Sequence, residues 1–312
     1  MKRNSKNRID IKQLKQFFSK KKNIMMYLRN KNKKKLNTED EIRLSYELQA
    51  GSYLSALENK EFFKKNEKYC SEFSKIFSQY KPSSILHVGT SNGKSICSII
   101  KNMKKKPEDV YGLDISLSSL MFAKKYSENV KPKINFFLGS ALNIPFKDNS
   151  FDIVFTIQTI ASNIGNERKI IKELVRVAKK IVIINQPLYN PKNKKLTAHM
   201  EKHAFSKDIM NTIKKMKLNI LDNFFLKNDL STVNKTSVVI INKNSSSKEN
   251  PIGYCSPKSK NFLKKINNHF YCEEEGRLYP VINGIPCLES DSNFLCARYP
   301  EVSKFKGIKI NK

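Results

Sequence analysis

Ser84-Ile-Leu-His-Val-Gly-Thr-Ser-Asn-Gly93 decides how this chain is read. A short apolar run, Ile85 to Val88, enters a loop with glycines at 89 and 93, and a helix-compatible stretch from Lys94 to Met103 follows. A second apolar run, Val110 to Leu113, ends in Asp114. The order is strand, glycine loop, helix, strand, acid. Glycines let the backbone approach a ligand closely, and a helix N-terminus offers free N–H groups. Asp114 lies about 20 residues beyond the loop, the spacing of a carboxylate that accepts hydrogen bonds from ribose hydroxyls. A nucleoside-bearing ligand fits that arrangement. Two other readings compete. Gly89-Thr-Ser-Asn-Gly93-Lys94-Ser95 looks like a phosphate-binding P-loop, but it has three residues between its glycines where that motif needs four, which argues against an NTPase. An ordinary glycine turn accounts for the loop alone as well as a ligand loop does, so the decision falls to residues downstream.

Downstream, the chain continues as Asn135-Phe-Phe-Leu-Gly-Ser-Ala-Leu-Asn-Ile-Pro-Phe-Lys-Asp-Asn-Ser-Phe-Asp-Ile-Val-Phe155. Gly139-Ser140-Ala141, then Ile144-Pro-Phe146, then Asp148-Asn-Ser-Phe-Asp152 resembles the class I S-adenosylmethionine (SAM)-dependent methyltransferases. In that family a "G-D-A" turn after the third strand contacts the adenine, and an "lPf-d-nsFD" segment leads into the fourth strand. The resemblance covers roughly residues 84 to 243. It implies SAM as cofactor, with His87, Gly89, Ser91, Gly93, Asp114, Ile115, Ser140, Ala141 and Gln158 as its binding residues. The chain departs from the family's pattern in several places. His87 stands where Glu or Asp is frequent, Ser91 replaces the middle glycine, Ser140 replaces the adenine-side aspartate, and Gln186 stands where an acid is common. Residues 155–167 also resemble a methyltransferase subgroup found near bacterial surface-polysaccharide genes, with Gln158 and Ala161 in place of its His and Glu.

Composition narrows the rest. The chain has 312 residues, enough for one large domain and a smaller unit, and no run approaches the ~20 apolar residues of a membrane span. Its N-terminus is basic but lacks the apolar core of a secretory signal, so a cytoplasmic protein is expected. The formal charge of +31 invites a nucleic-acid reading. That reading is not favoured, because the basic residues are 51 lysines and only eight arginines, with asparagine abundant and tryptophan absent. Phosphate and base recognition favour arginine's planar fork, whereas lysine and asparagine enrichment suits an AT-rich coding bias. Six cysteines, without a C-x-x-C pair, read as reduced thiols.

Along the chain, residues 1–35 read as a basic, flexible leader, with Ile11, Leu14, Phe17, Phe18 and Ile24 to Leu28 able to line one helical face. Residues 36–83 read as a helical cap that starts in a capping box at Thr38-Glu-Asp-Glu41. Residues 84–243 read as a Rossmann-like α/β domain: a doubly wound, mostly parallel seven-stranded sheet with an antiparallel edge hairpin. The expected strands are 84–88, 110–114, 134–138, 152–157, 180–185, 218–226 and 236–242, with helices near 93–104, 117–127, 166–179 and 205–216. Residues 244–250 form a polar linker, 251–300 a small β-rich module, and 301–312 a tail. The module's Tyr279-Pro-Val-Ile-Asn-Gly-Ile-Pro-Cys-Leu288 resembles the zinc-ribbon-like activator subunit of tRNA and protein methyltransferases. Cys255 is paired with Lys258 and Cys272 with Glu275, so each knuckle keeps one thiol and no metal is expected. Leu278, Tyr279, Val281, Ile282, Ile285 and Leu288 are expected to hold the module together.

Methyl transfer from a sulfonium depends largely on in-line positioning, and a general base helps when the acceptor is a hydroxyl. Catalytic candidates follow the fourth and fifth strands: Gln158, Asn163, Gln186 and Tyr189, with His199 and His203 beyond them. Tyr46, Gln49 and Tyr53 are candidate pocket residues on the cap. His199 and His203 have i,i+4 spacing, read first as a helix cap and second as facing the substrate. The expected activity is SAM-dependent methyl transfer to a small-molecule or surface-glycan acceptor. An RNA or protein methyltransferase using the basic leader, and a scaffold with a relic SAM pocket, are the rivals. The oligomeric state is not legible.

Overall fold

Ser84–Val88 (β1) is buried along its whole length, as a strand covered on both faces must be. The computed structural model describes residues 10–34, 36–187, 189, 192–230, 235–243 and 249–306. Around β1 are ordered β2 (Asp109–Asp114), β3 (Ile134–Leu138), β4 (Phe151–Ile157), β5 (Ala178–Pro187), β6 (Asn219–Phe225) and β7 (Thr236–Asn242). They form one seven-stranded sheet in the order β3-β2-β1-β4-β5-β7-β6. Strands β1 to β5 pair in parallel, while β7 runs antiparallel to β5 and β6 antiparallel to β7. The expected α/β doubly wound sheet and its edge hairpin are therefore the observed fold.

Alternation along the strands sends neighbours to opposite layers. Ile85, Val110, Ile153 and Ile183 face helices α5 (Lys60–Gln79), α6 (Lys94–Asn102) and α7 (Leu117–Tyr126). Leu86, Leu113, Val154 and Val182 face α8 (Glu167–Val177) and α10 (Ile209–Lys215). Because β1 lies between β2 and β4, the chain winds away from it in both directions. The loops after β1 and β4 consequently flank one crevice at the strands' carboxyl ends.

The N-terminal leader differs from its reading as a flexible extension. Residues 1–9 lie outside the described residues, but Ile11–Ser19 (α1) and Ile24–Lys31 (α2) are helices capped by the side chains of Asp10 and Asn23. Leu14, Ile24 and Leu28 are each about 98% buried or more, packed with Phe17, Phe18, Tyr27, Leu44 and Leu48. Their three- and four-residue spacing makes an apolar stripe whose burial offsets the cost of ordering a lysine-rich segment. Arg29 donates to Asn37 Oδ1 (3.0 Å) and to the carbonyl of Lys202 (2.9 Å), fastening α2 to the domain. The cap follows as α3 (Glu39–Gln49), the short α4 (Ser52–Ser55), a 3-10 turn at Ala56–Glu58 and α5, with the Thr38–Glu41 capping box formed. One further helix, α9 (Lys194–His203), precedes α10, which is shorter than the expected 205–216.

The C-terminal residues form a four-stranded antiparallel sheet of β8 (Lys264–Ile266), β9 (His269–Cys272), β10 (Arg277–Tyr279) and β13 (Phe294–Leu295). A hairpin of β11 (Val281–Ile282) and β12 (Ile285–Pro286) projects from it, and α11 (Tyr299–Val302) follows. Cys287 pairs in parallel with Leu138, and the Leu288 N–H donates to the Leu138 carbonyl at 2.8 Å. The hairpin thus covers the outer edge of β3, an edge that otherwise invites intermolecular pairing. Ile285 and Leu288 are fully buried and Tyr279 nearly so, but Ile282 is exposed and is no part of that core. Most of the linker (244–248) and tail (307–312) lies outside the described residues.

Candidate cofactor and acceptor site

A cavity of about 350 Å³ opens at the carboxyl ends of β1, β2, β3 and β4, within the size range of small-molecule sites. Gly89 begins its floor with φ +78°, and its N–H and that of Thr90 both donate to the Leu113 carbonyl at 2.8 Å. A Cβ at position 89 would stand 1.9 Å from Thr159 Oγ1, so glycine is demanded by close approach as well as by φ. Ser91, where a second glycine is frequent, takes φ +49° and donates its N–H to Asp114 Oδ2 at 2.6 Å. Gly93 caps α6 with φ +74° and shapes the turn without lining the cavity.

Asp114 lines the cavity and is 7% exposed. Its Oδ1 accepts from the Ser116 N–H at 2.9 Å. Burial pushes its carboxyl up to about 6, against the lowering effect of the N–H groups of Ser116, Ser91 and Ile115. Ile115, Gly139, Ala141 and Leu142 continue the same wall. Ser140 does not line it. Its hydroxyl instead donates to Glu39, the first residue of α3, and Glu39 does reach the cavity. The carboxylate absent at position 140 is thus matched by one arriving from the cap.

Several buried polar atoms in the cavity wall have no partner among the described residues: both ring nitrogens of His87, Thr90 Oγ1 and Asn92 Nδ2. His87 is 2% exposed and stacks on Phe155 at 4.1 Å between centroids. Burial lowers its pKa to about 3, so the ring is neutral. Leaving so many polar groups unpaired is costly unless a polar ligand satisfies them. Lys94 is the only lysine or arginine among the described residues lining the cavity. Its Nζ donates to Asn66 Oδ1 at 2.7 Å and lies 5.3 Å from the centre of the Phe62 ring.

After β4, Gln158 lines the cavity in the left-handed region at φ +57°. Asn163 also lines it, with Nδ2 donating to the Thr159 carbonyl at 2.8 Å. The cap closes the far side with Tyr46, Tyr53 and Phe62, joined by Phe205 and Leu230. Burial raises the Tyr46 hydroxyl pKa.

Other candidates stand elsewhere. Gln186 accepts from the Ala161 N–H at 3.0 Å behind the wall, and Gln49 accepts from the Tyr53 hydroxyl at 3.5 Å. Tyr189 lies under Lys207 Nζ at 5.1 Å. His199 and His203 do share a helix face, with ring centres 4.5 Å apart, but they back Phe205 rather than line the cavity. His203 Nδ1 lies 3.0 Å from Asn23 Nδ2, tying α9 to α2, and burial lowers its pKa. Sequence reasoning missed Glu39, Tyr69, Phe62, Thr159, Phe205 and Leu230 as lining residues. Lys94 had a signal, its place directly after the loop's last glycine. In the C-terminal module, Glu275 accepts from the Ser256 hydroxyl (2.6 Å) and the Ser259 N–H (3.1 Å), so hydrogen bonds link the two knuckles.

Residues 86–184 match the family model of a methyltransferase domain. Norajmaline N-methyltransferase of Rauvolfia serpentina is 30% identical over 100 residues, covering 31% of this chain and 33% of that protein. Demethylmenaquinone methyltransferase of Renibacterium salmoninarum is 38% identical over 88 residues, covering 27% and 35%. The matched segment spans about a third of the length of these curated relatives. Among solved structures, magnesium protoporphyrin IX methyltransferase from Synechocystis aligns at 13% identity and TM-score 0.46, covering 59% of this chain and 85% of that one. A chain of the complex between the Haloferax volcanii Trm112 methyltransferase activator and the putative methyltransferase aligns at 12% identity and TM-score 0.47, covering 63% and 97%.

The cofactor of this domain is S-adenosyl-L-methionine. The residues present fit it: a buried acceptor at the tip of β2, a glycine floor, an apolar slot from Ile115 to Leu142, and unpaired polar atoms around His87. Among the described residues, no helix is long and apolar enough to cross a membrane.

Proposed function

We propose that the chain is a SAM-dependent methyltransferase acting on a small, largely apolar or aromatic acceptor. The observation that carries this reading is one continuous cavity in which the polar floor of Gly89, Ser91 and Asp114 meets the aromatic wall of Tyr46, Tyr53, Phe62 and Phe205. Bound SAM supplies an electrophilic methyl group. The protein's part is to hold and align. Asp114 would accept from the ribose hydroxyls, with Ser91 and Ser116 fixing its carboxylate. Glu39 and the Gly139–Leu142 turn would border the adenine. Gln158, Ser162 and Asn163 would orient the acceptor's polar end, and Tyr46 would exclude water above it.

The acids and the histidine of the described lining are each neutral or already engaged. His87 is neutral with its pKa lowered to about 3, Asp114 is committed to the floor, and Glu39 accepts from the Ser140 hydroxyl. That favours an acceptor atom nucleophilic without help, such as an amine or an acidic phenol, over a sugar hydroxyl. It weakens the surface-glycan reading. Packing of α1 and α2 onto the domain weakens the RNA reading, and the intact Asp114 cradle weakens the relic-pocket reading. We take residues 36–83 as a cap, 84–243 as the cofactor-binding domain and 251–300 as a built-in β module. Its likeness to the activator subunit and its cover over β3 suit a supporting role.

The test is transfer of radiolabelled methyl from SAM to three acceptor panels: aromatic amines and phenols, polysaccharides, and tRNA. Incorporation confined to the first supports the proposal. Incorporation confined to either of the others overturns the acceptor class.

A further inference from the structure

The cofactor's methionyl arm carries a carboxylate, and the cavity's one lysine among the described residues forms no ion pair. Lys94 is partly buried, and no carboxylate among the described residues comes within ion-pair distance of its Nζ. Glu67, the acid that bears on it electrostatically, is engaged by the Ser98 hydroxyl at 2.7 Å and Asn102 Nδ2 at 3.3 Å. Of three ammonium protons, one goes to Asn66 Oδ1. Asn66 is fully buried and its own Nδ2 is unpaired. His87, in the same cavity, is a neutral ring with both nitrogens unpaired and supplies no counter-charge. A partly buried cation that forms no ion pair is unfavourable, and an incoming carboxylate relieves it. Burial accordingly pushes the Lys94 pKa down.

We propose that Lys94 is the specificity residue for the amino-acid arm of the cofactor, forming an ion pair with its carboxylate, with the neutral His87 replacing the acid expected there. The proposal rests on the SAM-binding reading above. It accounts together for a lysine directly after the glycine loop and for the loss of the acid two residues before Gly89.

The test uses the full chain and calorimetric titration with two probes. S-adenosylhomocysteine carries the whole arm, and 5′-deoxy-5′-(3-aminopropylthio)adenosine keeps the ammonium but lacks the carboxylate. The wild type should prefer S-adenosylhomocysteine by about 10- to 100-fold, the range of one charge-assisted hydrogen-bonded pair. Lys94→Met should lose that preference while binding the carboxylate-free probe as the wild type does, and Lys94→Arg should keep most of it. Equal weakening toward both probes, or an unchanged preference in Lys94→Met, overturns the proposal and leaves Lys94 as a brace between α5 and α6. A wild type that binds neither probe instead refutes the cofactor reading itself. Thermal melting of each variant separates lost binding from lost folding.

Discussion

Asp114→Asn should separate binding from stability. The carboxyl is held at about 6 against an ordinary 3.8, roughly two pH units, so its ionised form costs the fold about 3 kcal/mol at neutral pH. Asparagine removes that cost. It also turns one acceptor oxygen into an amide that faces a backbone N–H, Ser91's or Ser116's, at about 1–3 kcal/mol. The two nearly cancel, so the melting temperature should stay within about 5 °C of the wild type. Binding has no such compensation. Losing the charge and one acceptor toward the ribose hydroxyls should weaken S-adenosylhomocysteine about 10- to 100-fold. Calorimetry at pH 7.5 beside a thermal melt reads both. Affinity within twofold of the wild type would refute the ribose role, and a melting loss beyond about 10 °C would make Asp114 a structural acid.

Further outcomes follow from other contacts. Asp114 is protonated below about 6, so wild-type affinity should fall as pH drops through that value while Asp114→Asn stays flat. For stability the sign is opposite: the raised carboxyl binds more protons folded than unfolded between about 4 and 6, so its contribution declines as pH rises through that window. Gly89→Ala drives a Cβ to 1.9 Å from Thr159 Oγ1 at φ +78° and should cost several kcal/mol in urea unfolding, about 2 or more. Arg43→Met strips the 2.5 Å partner from the buried Glu289, which joins α3 to the C-terminal module, and should cost about 2–3 kcal/mol. Adding Glu289→Gln should return part of that loss, and a strictly additive double variant would contradict the pairing. With Glu275 already holding Ser256 and Ser259, chelator or added zinc should leave the melting temperature unchanged, whereas a shift of several degrees would expose a metal site.

The sheet was legible because β1 to β5 each carry a mostly apolar run, and that pattern survives any lysine-rich composition. Strands 84–88, 134–138 and 236–242 coincide with the observed ones to the residue. The loop glycines and Asp114 were equally readable, since local backbone conformation and spacing carry them. What composition hid was tertiary. The apolar stripe of Leu14, Ile24 and Leu28 was present among the lysines, but only the surface it packs on decides whether such a stripe orders. Likewise no local rule says that the Ser140 hydroxyl would meet Glu39, which comes from 101 residues earlier in the chain and lines the cavity that Ser140 does not. His199 and His203 matched a motif spacing, and they pair as that spacing requires. Their distance from the cavity depends on α9 docking against α2, which spacing does not encode.

The most direct test of the account is calorimetric titration of the unaltered protein with SAM and S-adenosylhomocysteine. Both should bind saturably at one site per chain, with micromolar affinity. A folded protein that gives no binding heat with either ligand at millimolar concentration would contradict it.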